Sequence, residues 1–299
     1  MSQRDTLAST SLPPSFENRN VPAAHGSRGP GPRAAPCTPT VVKKIRDALE
    51  KKGLGVWRVT HGPFARFNTA LYKIGYPPWG ASVRRRLIAQ LNVDLVIDCG
   101  ANTGQYAAGL RNAGYFGRIL SVEPGSEAFA QLETAARRDR RWECLRAAVY
   151  DEDGRVSLRV AEESPCNTLF NPLPSDDEMV PGVQTAFIEE VEALTLDTIV
   201  DRYASGAQRI WIKLDVEGAE LRAVSGGKTA LGRSVAVEAE LGLVPIYENE
   251  PMFFEMSKVL YEEGFFLCNT SGAFQDTQGT WIKIDGVFLR NEFRGKVRL

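Results

Sequence analysis

Hydrophobic positions change their spacing along the chain, and from residue 94 onward two patterns alternate. Short continuous apolar runs predict buried strands, and apolar residues at helical spacing predict amphipathic helices. The predicted strands are residues 94–98, 118–123, 142–149, 210–215, 235–240, 265–269 and 285–290, with a β-hairpin around 156–160. Strands that alternate with helices pair in parallel, whereas the last two strands lack a helix between them and should pair antiparallel. The pattern therefore predicts an α/β fold with a mostly parallel sheet.

The beginning of the chain has a different composition. Residues 1–40 contain seven of the seventeen prolines and few large apolar side chains, which predicts a disordered tail rich in Pro, Gly and Ser. Residues 41–93 carry apolar side chains at helical spacing, with breaks at Gly53 and Pro77, and are predicted to form a helical lead-in or cap. Residues 94–299 are then the predicted α/β domain.

Charge and cysteine content exclude several classes of function. The chain has 36 Lys and Arg against 37 Asp and Glu, so its formal net charge of −1 attracts neither nucleic acid nor an anionic membrane. It contains no apolar run of about 18 residues. The five cysteines include no C-x-x-C pair, which favours reduced thiols over disulfide bonds or a zinc site. We therefore expect a soluble, cytoplasmic protein without nucleic-acid or membrane partners.

The first predicted strand leads into a glycine-bearing loop that is typical of cofactor sites. The loop reads DCGANTG over residues 98–104 and precedes a predicted helix, so backbone N–H groups would face a ligand there. Asn102 stands where the dinucleotide-binding pattern has its second glycine, which argues against a pyrophosphate. Asp98 repels phosphate and suits a cationic ligand such as a sulfonium with an ammonium.

A carboxylate follows the second predicted strand. Glu123 lies beside the first loop at the carboxyl edge of the predicted sheet, where an acidic residue of dinucleotide folds accepts ribose hydroxyls. The sequence thus predicts a cofactor that contains ribose.

More carboxylates follow two strands farther along the chain. Lys213, Asp215 and Glu217 surround the end of one strand, and Glu238 and Glu240 lie on one side of the next. If the two strands are neighbours, four carboxylates converge at the edge where open α/β sheets bind ligands. Such a cluster either raises the pKa of one member enough to make a general base or holds a divalent cation such as Mg²⁺. In the second case the predicted ligands are Asp215, Glu238 and Glu240.

A carboxylate base is favoured because the chain has only two histidines, His25 and His61, and both precede the predicted α/β domain. Asp215 is the candidate for this base or for a metal ligand. Lys213 either stabilises an alkoxide or packs its stem within the strand. For Glu220 we favour a structural role in the first turn of a helix, and for Glu217 that role and a catalytic one are equally supported.

Together, these motifs resemble the FkbM family of S-adenosylmethionine-dependent methyltransferases. The matching segments are VIDCGANTGQY (96–106), ILSVEPGSEAF (119–129), AAVYDEDG (147–154), LTLDTIV (194–200), IKLDVEGAEL (212–221) and DGVFLR (285–290). Several motifs in family order are more specific than one glycine loop, and they span most of residues 94–290.

The resemblance implies a Rossmann-like class I methyltransferase fold with a seven-stranded sheet. It implies O-methylation of a small-molecule or saccharide acceptor, such as a sugar, a polyketide or another secondary metabolite. It also implies that Asp98, Gly100, Asn102 and Gly104 hold the cofactor, that Glu123 binds its ribose and that the region around Ala148 borders the adenine. Many bacterial relatives have Gln where Glu217 stands, which puts a universal catalytic role for this position in doubt.

Two other functions compete with this interpretation. An NAD-dependent oxidoreductase would share the fold class, but Asn102 and Asp98 disfavour it. A non-catalytic binding module with a methyltransferase fold is the second alternative, against which the intact Asp98, Glu123 and Asp215 argue. Acceptor selection is expected to lie in the lead-in helices and in residues 164–182, where the pattern shows no clear period.

Overall fold

The computed structural model describes residues 83–162, 166–173, 182–276 and 279–298. The predicted tail at 1–40 and nearly all of the predicted lead-in lie outside the described residues.

The described elements alternate between strands and helices. The strands are β1 Leu95–Cys99, β2 Arg118–Val122, β3 Trp142–Leu145, β4 Ala148–Tyr150, β5 Gly154–Ala161, β6 Thr185–Thr195, β7 Ile210–Leu214, β8 Ser234–Gly242, β9 Phe265–Gln275 and β10 Trp281–Arg290. The helices are α1 Val83–Gln90, α2 Gln105–Asn112, α3 Ser126–Ala136, α4 Leu196–Tyr203, α5 Glu220–Ser225, α6 Lys228–Arg233 and α7 Phe253–Glu262, and a 3₁₀ turn covers Asn291–Phe293.

A seven-stranded sheet with the order β3-β2-β1-β7-β8-β10-β9 forms the centre of the fold. Its first five strands pair in parallel, and β10 pairs antiparallel with both of its neighbours. This topology confirms the predicted Rossmann-like α/β fold and its antiparallel last strand. The chain order reverses between β1 and β7, and the crevice at the carboxyl ends of these strands is where such sheets bind ligands.

The central strands are buried on both faces of the sheet. All five residues of β1 are buried, and alternate side chains enter two core clusters on opposite faces. Ile97 and Ile212 belong to one cluster, and Val96 and Trp211 belong to the other. Because both faces are covered, these strands appear in the sequence as continuous apolar runs.

A second sheet of three strands, with the order β4-β6-β5, was not predicted. The predicted strand 142–149 is divided, since β3 joins the main sheet and β4 joins the second one. The prediction of a local β-hairpin at 156–160 is wrong. These residues belong to β5, which pairs antiparallel with the distant strand β6. Strand β6 was not predicted because its sequence pattern shows no buried face. Most of its first half is exposed, including Phe187 and Ile188 at 56 % each.

None of the described helices is long and apolar enough to cross a membrane.

Candidate active site

Two cavities open at the carboxyl edge of the main sheet. The first has an empty volume of about 500 Å³ including its mouth, and the second has about 900 Å³. Gly100, Asn102, Asp215 and Glu217 line both cavities, so the two spaces meet at these residues. The loop after β1 and the loop after β7 therefore form the boundary between them.

The glycine loop is held mainly by bonds within the protein. The N–H groups of Gly100 and Ala101 donate to the carbonyl oxygen of Val122 at 2.9 and 3.1 Å, and the N–H of Asn102 donates to Glu123 at 2.8 Å. The expectation that these N–H groups face a ligand is therefore wrong for these three residues. The loop still forms part of the wall of both cavities through Gly100 and Asn102.

Gly104 has a packing role that the motif did not indicate. It has a φ of +89°, and a Cβ built there would lie 2.8 Å from the ring of Trp142 and 3.0 Å from Leu132. Gly104 thus allows α2 to start close against α3 and β3. It lines neither cavity.

Glu123 faces the first cavity from the end of β2. It is 4 % exposed, and its two carboxylate oxygens accept the N–H groups of Asn102 and Gly125 at 2.8 and 2.9 Å. Burial raises the pKa of Glu123 to about 7, against the opposing effect of these two donors. The wall beside it is apolar and includes Ala148 and Leu158.

Asp98 lies behind the loop and lines neither cavity. It is fully buried, the hydroxyl of Ser121 donates to it at 3.3 Å, and the Nζ of Lys213 lies 3.6 Å from its Oδ1. Burial raises its pKa, and Lys213 opposes that shift. The geometry makes Asp98 a partner of Lys213, in contrast to the expectation that it contacts the cofactor.

Three of the predicted carboxylates converge. Oxygen atoms of Asp215, Glu217 and Glu240 lie within 4.8 Å of one another, and we name these residues the carboxylate triad. Two lysines hold it: Lys213 donates to Asp215 at 2.7 Å, and Lys283 donates to Glu217 and Glu240 at 2.7 Å each. The predicted convergence at one sheet edge is therefore found for these three residues.

The members of the triad differ in their ionisation. Burial raises the pKa of Asp215, but the charge and hydrogen bond of Lys213 outweigh it and leave the pKa below its ordinary value. Burial raises the pKa of Glu217 and of Glu240, against the opposing charge of Lys283. Asp215 is therefore the most readily ionised member, and its side chain is 32 % exposed at the boundary of the two cavities.

Glu238 lies outside the triad, contrary to the prediction. It is 1 % exposed, and the Nε of Arg84 donates to its two oxygens at 2.7 and 2.9 Å. The hydroxyl of Tyr106 donates to it at 2.6 Å. Because these donors occupy the carboxylate, Glu238 joins α1, α2 and β8, and the predicted metal-ligand set of Asp215, Glu238 and Glu240 does not form.

The loop after β7 is held in an unusual conformation. Glu217 has a φ of +49° and Gly218 has a φ of +95°. The hydroxyl of Thr168 donates to the carbonyl oxygen of Glu217 at 2.6 Å, and Glu220 accepts the N–H groups of Val216 and Gly218 at 2.9 and 3.1 Å. Glu220 is thus structural, as favoured from its position in the first turn of α5. A left-handed backbone at a residue other than glycine persists only where the surroundings hold it, and here they direct the Glu217 side chain toward Lys283.

Sequence reasoning missed Lys283 and Asp285. Lys283 is 4 % exposed, and Asp285 lines the second cavity with a pKa that burial raises to about 6. A signal was present, because the pattern Trp-Ile-Lys-(Leu/Ile)-Asp occurs at 211–215 and again at 281–285. Both copies put a lysine and an aspartate at the same edge of the sheet.

The described part of residues 164–182 lies at the first cavity. Asn167, Thr168 and Leu169 line it, and the segment is tied to the residue 246–248 loop through a hydrogen bond from the N–H of Leu173 to Ile246. The described part of this segment, which is expected to select the acceptor, therefore covers the space beside Glu123.

A family model described as the methyltransferase FkbM domain matches residues 98–267. Among solved structures, the chain is similar to the methyltransferase FkbM from Methylobacillus flagellatus KT, with 17 % identity, a TM-score of 0.41, and coverage of 66 % of this chain and 44 % of that one. The chain thus spans less than half the length of that protein. No match was found among curated proteins.

Two other similar structures are also methyltransferases by name. Magnesium protoporphyrin IX methyltransferase from Synechocystis PCC 6803 with bound SAM has 11 % identity and a TM-score of 0.37, covering 83 % of this chain and 96 % of that one. The 1,6-didemethyltoxoflavin-N1-methyltransferase from Burkholderia thailandensis has 13 % identity and a TM-score of 0.37, covering 87 % and 92 %.

Proposed function

The chain belongs to the FkbM family of methyltransferases, and we propose that it transfers a methyl group from S-adenosylmethionine to a hydroxyl group of a small-molecule or saccharide acceptor. The observation that carries this proposal is the junction of two cavities at Asp215, one beside Glu123 and one beside the carboxylate triad. A methyl donor in the first cavity and an acceptor in the second would meet at this residue.

The first cavity has the chemistry that this cofactor needs. Its walls combine the carboxylate of Glu123, which suits a ribose diol, with apolar side chains around Ala148 that suit an adenine ring. When bound, S-adenosylmethionine supplies an electrophilic methyl group on a positively charged sulfur.

Asp215 is the residue that we assign to the acceptor proton. As the acceptor oxygen bonds to the methyl carbon and the carbon–sulfur bond breaks, the hydroxyl proton passes to the Asp215 carboxylate. Lys213 at 2.7 Å keeps this carboxylate ionised and oriented. The main contribution of the protein is then to align the hydroxyl with the methyl group, since a favourable approach geometry lowers the barrier by several kcal/mol.

A divalent cation such as Mg²⁺ is the alternative to a carboxylate base, and with Glu238 outside the cluster its ligands would be the triad. Each member already has a lysine Nζ at 2.7 Å, so the local positive charge is supplied by the chain. We therefore propose a reaction that uses no divalent cation.

Calorimetric titration of the purified protein with S-adenosylmethionine, and separately with NAD, tests the cofactor. We expect saturable binding of S-adenosylmethionine only, with loss of that binding in Glu123→Ala. Binding of NAD alone would favour the oxidoreductase.

An acceptor screen by mass spectrometry then tests the reaction. The expected product carries one additional methyl group on oxygen, and Asp215→Asn should lower turnover by about 10²- to 10⁴-fold while sparing cofactor affinity. Full turnover in Asp215→Asn would remove Asp215 from the mechanism. Cofactor binding without turnover on any acceptor would favour the non-catalytic module.

A further inference from the structure

Lys283 is a buried cation that no motif identified. It is 4 % exposed on β10, and its Nζ lies 2.7 Å from an oxygen of Glu217 and 2.7 Å from an oxygen of Glu240. A third carboxylate, that of Glu250, lies 3.7 Å away, and the ring centroid of Tyr247 lies 5.3 Å away. One ammonium group is thus surrounded by three carboxylates from three different parts of the chain.

The Lys283 ammonium lies between the carboxylates of Glu217 and Glu240, where a bridging cation would lie. Glu217 follows β7, Glu240 lies on β8, and their carboxylates would repel each other across a short distance if both were ionised. Proteins hold such pairs together by a metal ion, by a shared proton or by an internal cation. Here the Lys283 ammonium bridges them through Oε2 of each residue.

Lys283 also completes the anchoring of Glu217. The hydroxyl of Tyr247 donates to the same oxygen of Glu217 at 3.1 Å, and the hydroxyl of Thr168 holds its carbonyl oxygen at 2.6 Å. Three donors from separate segments therefore fix one residue whose φ of +49° is rarely adopted by a glutamate. The ammonium is the only charged group among these donors.

We propose that Lys283 is a positioning residue that acts as the internal counter-cation of the carboxylate triad, in the place where a divalent cation would otherwise bridge Glu217 and Glu240. Its role in turnover rests on the proposed function, because it keeps Glu217 and Glu240 beside Asp215 at the wall of the second cavity. Its role as a counter-cation is a property of the folded protein and needs neither cofactor nor acceptor.

Substitution of Lys283 should convert the triad into a metal site. In Lys283→Met the stem volume is kept and the ammonium is removed, so oxygens of Glu217, Glu240 and Asp215 are open to a hard cation, which would displace any proton that these carboxyls take up. We expect Mn²⁺, titrated alone and followed by electron paramagnetic resonance, to bind Lys283→Met at least about tenfold more tightly than the unmodified protein. Lys283→Arg keeps the positive charge and should bind Mn²⁺ no better than the unmodified protein.

Two further variants separate this effect from a general loss of charge. In Lys283→Met/Glu240→Gln one ligand is removed, and the gained Mn²⁺ affinity should be lost. Lys258→Met removes an exposed lysine on α7, whose side chain is 74 % exposed, and should leave Mn²⁺ binding unchanged.

Tight Mn²⁺ binding by the unmodified protein, lost in Glu240→Gln, would overturn the proposal, and so would unchanged binding in a folded Lys283→Met. If Lys283→Met does not fold, the titrations of the unmodified protein and of Lys283→Arg decide, since the proposal requires both to lack this site. Calorimetry with S-adenosylmethionine on the same samples is independent of these outcomes. Failure of the proposed function would appear there as absent cofactor binding, whereas failure of the counter-cation proposal would appear only in the Mn²⁺ titrations.

Discussion

A β-carbon built on Gly100 would lie 1.6 Å from the carbonyl oxygen of Asp215. The loop after β1 therefore rests directly against the backbone that carries the proposed proton acceptor, and the N–H of Asp215 also donates to the carbonyl oxygen of Cys99 at 3.1 Å. These contacts join the wall of the first cavity to the backbone of Asp215 with no side chain between them.

Gly100→Ala should be strongly destabilising. The added methyl group meets the carbonyl of Asp215, and the φ of +75° disfavours any residue with a β-carbon. We expect the free energy of unfolding to fall by more than about 3 kcal/mol in urea titrations. The matched control is Gly109→Ala on α2, where nothing lies within 4 Å of a built β-carbon, and this change should stabilise the protein by about 0.5–1 kcal/mol. Equal stabilities of the two variants would contradict the close approach.

Glu123 should make cofactor binding dependent on pH. Burial raises its pKa to about 7 from an ordinary value of 4.5, so the folded protein holds this proton more tightly than the unfolded chain does. The contribution of this group to stability is thus present at low pH and is lost as the pH rises through about 7. Ribose hydroxyls donate to the ionised form, so affinity for S-adenosylmethionine should rise by about tenfold between pH 6 and pH 8.

Calorimetry across that range checks this prediction with two variants. Glu123→Gln should bind weakly at every pH and lose the rise. Glu127→Gln, an exposed change in the first turn of α3, should keep it. The amino group of the cofactor titrates in the same way with the unmodified protein and with both variants. If the rise in affinity with pH persists in Glu123→Gln, a group other than Glu123 causes it.

Arg84 and Glu238 should behave as a structural pair. Arg84→Met leaves the carboxylate of Glu238, which is 1 % exposed, with Tyr106 as its remaining donor among the residues that the structure describes. Removing one partner of a buried pair costs about 3 kcal/mol or more, because the other charge stays desolvated. We expect that loss in Arg84→Met, and a smaller loss in Arg84→Met/Glu238→Gln, measured by urea unfolding. If Glu238→Gln instead keeps full stability and abolishes turnover, Glu238 belongs to the catalytic machinery after all.

Thr168 should couple the cover of the first cavity to Glu217. Its hydroxyl donates to the Glu217 carbonyl at 2.6 Å and accepts the N–H of Phe170 at 3.2 Å, and Thr168→Val removes both bonds with little change in shape. We expect a loss of about 2 kcal/mol in stability and weaker cofactor binding, since the residue lines the first cavity. Thr134→Val, at an exposed site on α3, should change stability by less than about 0.5 kcal/mol. A neutral Thr168→Val would show that Glu217 holds its conformation without this bond.

Much of the fold was predictable because strands buried on both faces appear in the sequence as continuous apolar runs. Strands β1 and β7 are covered on both faces, so their apolar runs, such as Leu95–Cys99, stand out in the sequence. The positions of Asp98, Glu123 and Asp215 at strand ends followed from the same runs, as did the convergence of Asp215 with Glu240. Strand β6 has no such apolar run. Its pairing partners in β5 lie 24 or more positions away in the sequence, so the local pattern does not indicate the pairing.

The partners of each charged group were decided only by the tertiary structure. Glu238 and Glu240 stand two residues apart and look equivalent in the sequence, yet Arg84 from α1 neutralises the first and Lys283 from β10 neutralises the second. Asp98 and Asp215 likewise share Lys213 as their partner. Their surroundings differ, because Asp98 is buried and Asp215 lies at the boundary of the two cavities. Hydrophobic burial is set by each segment's own composition, so the sequence alone determined the strands of the main sheet and the edge at which the carboxylates meet. Electrostatic pairing depends on distances of a few ångströms between segments far apart in the chain, and these exist only once the sheet has formed.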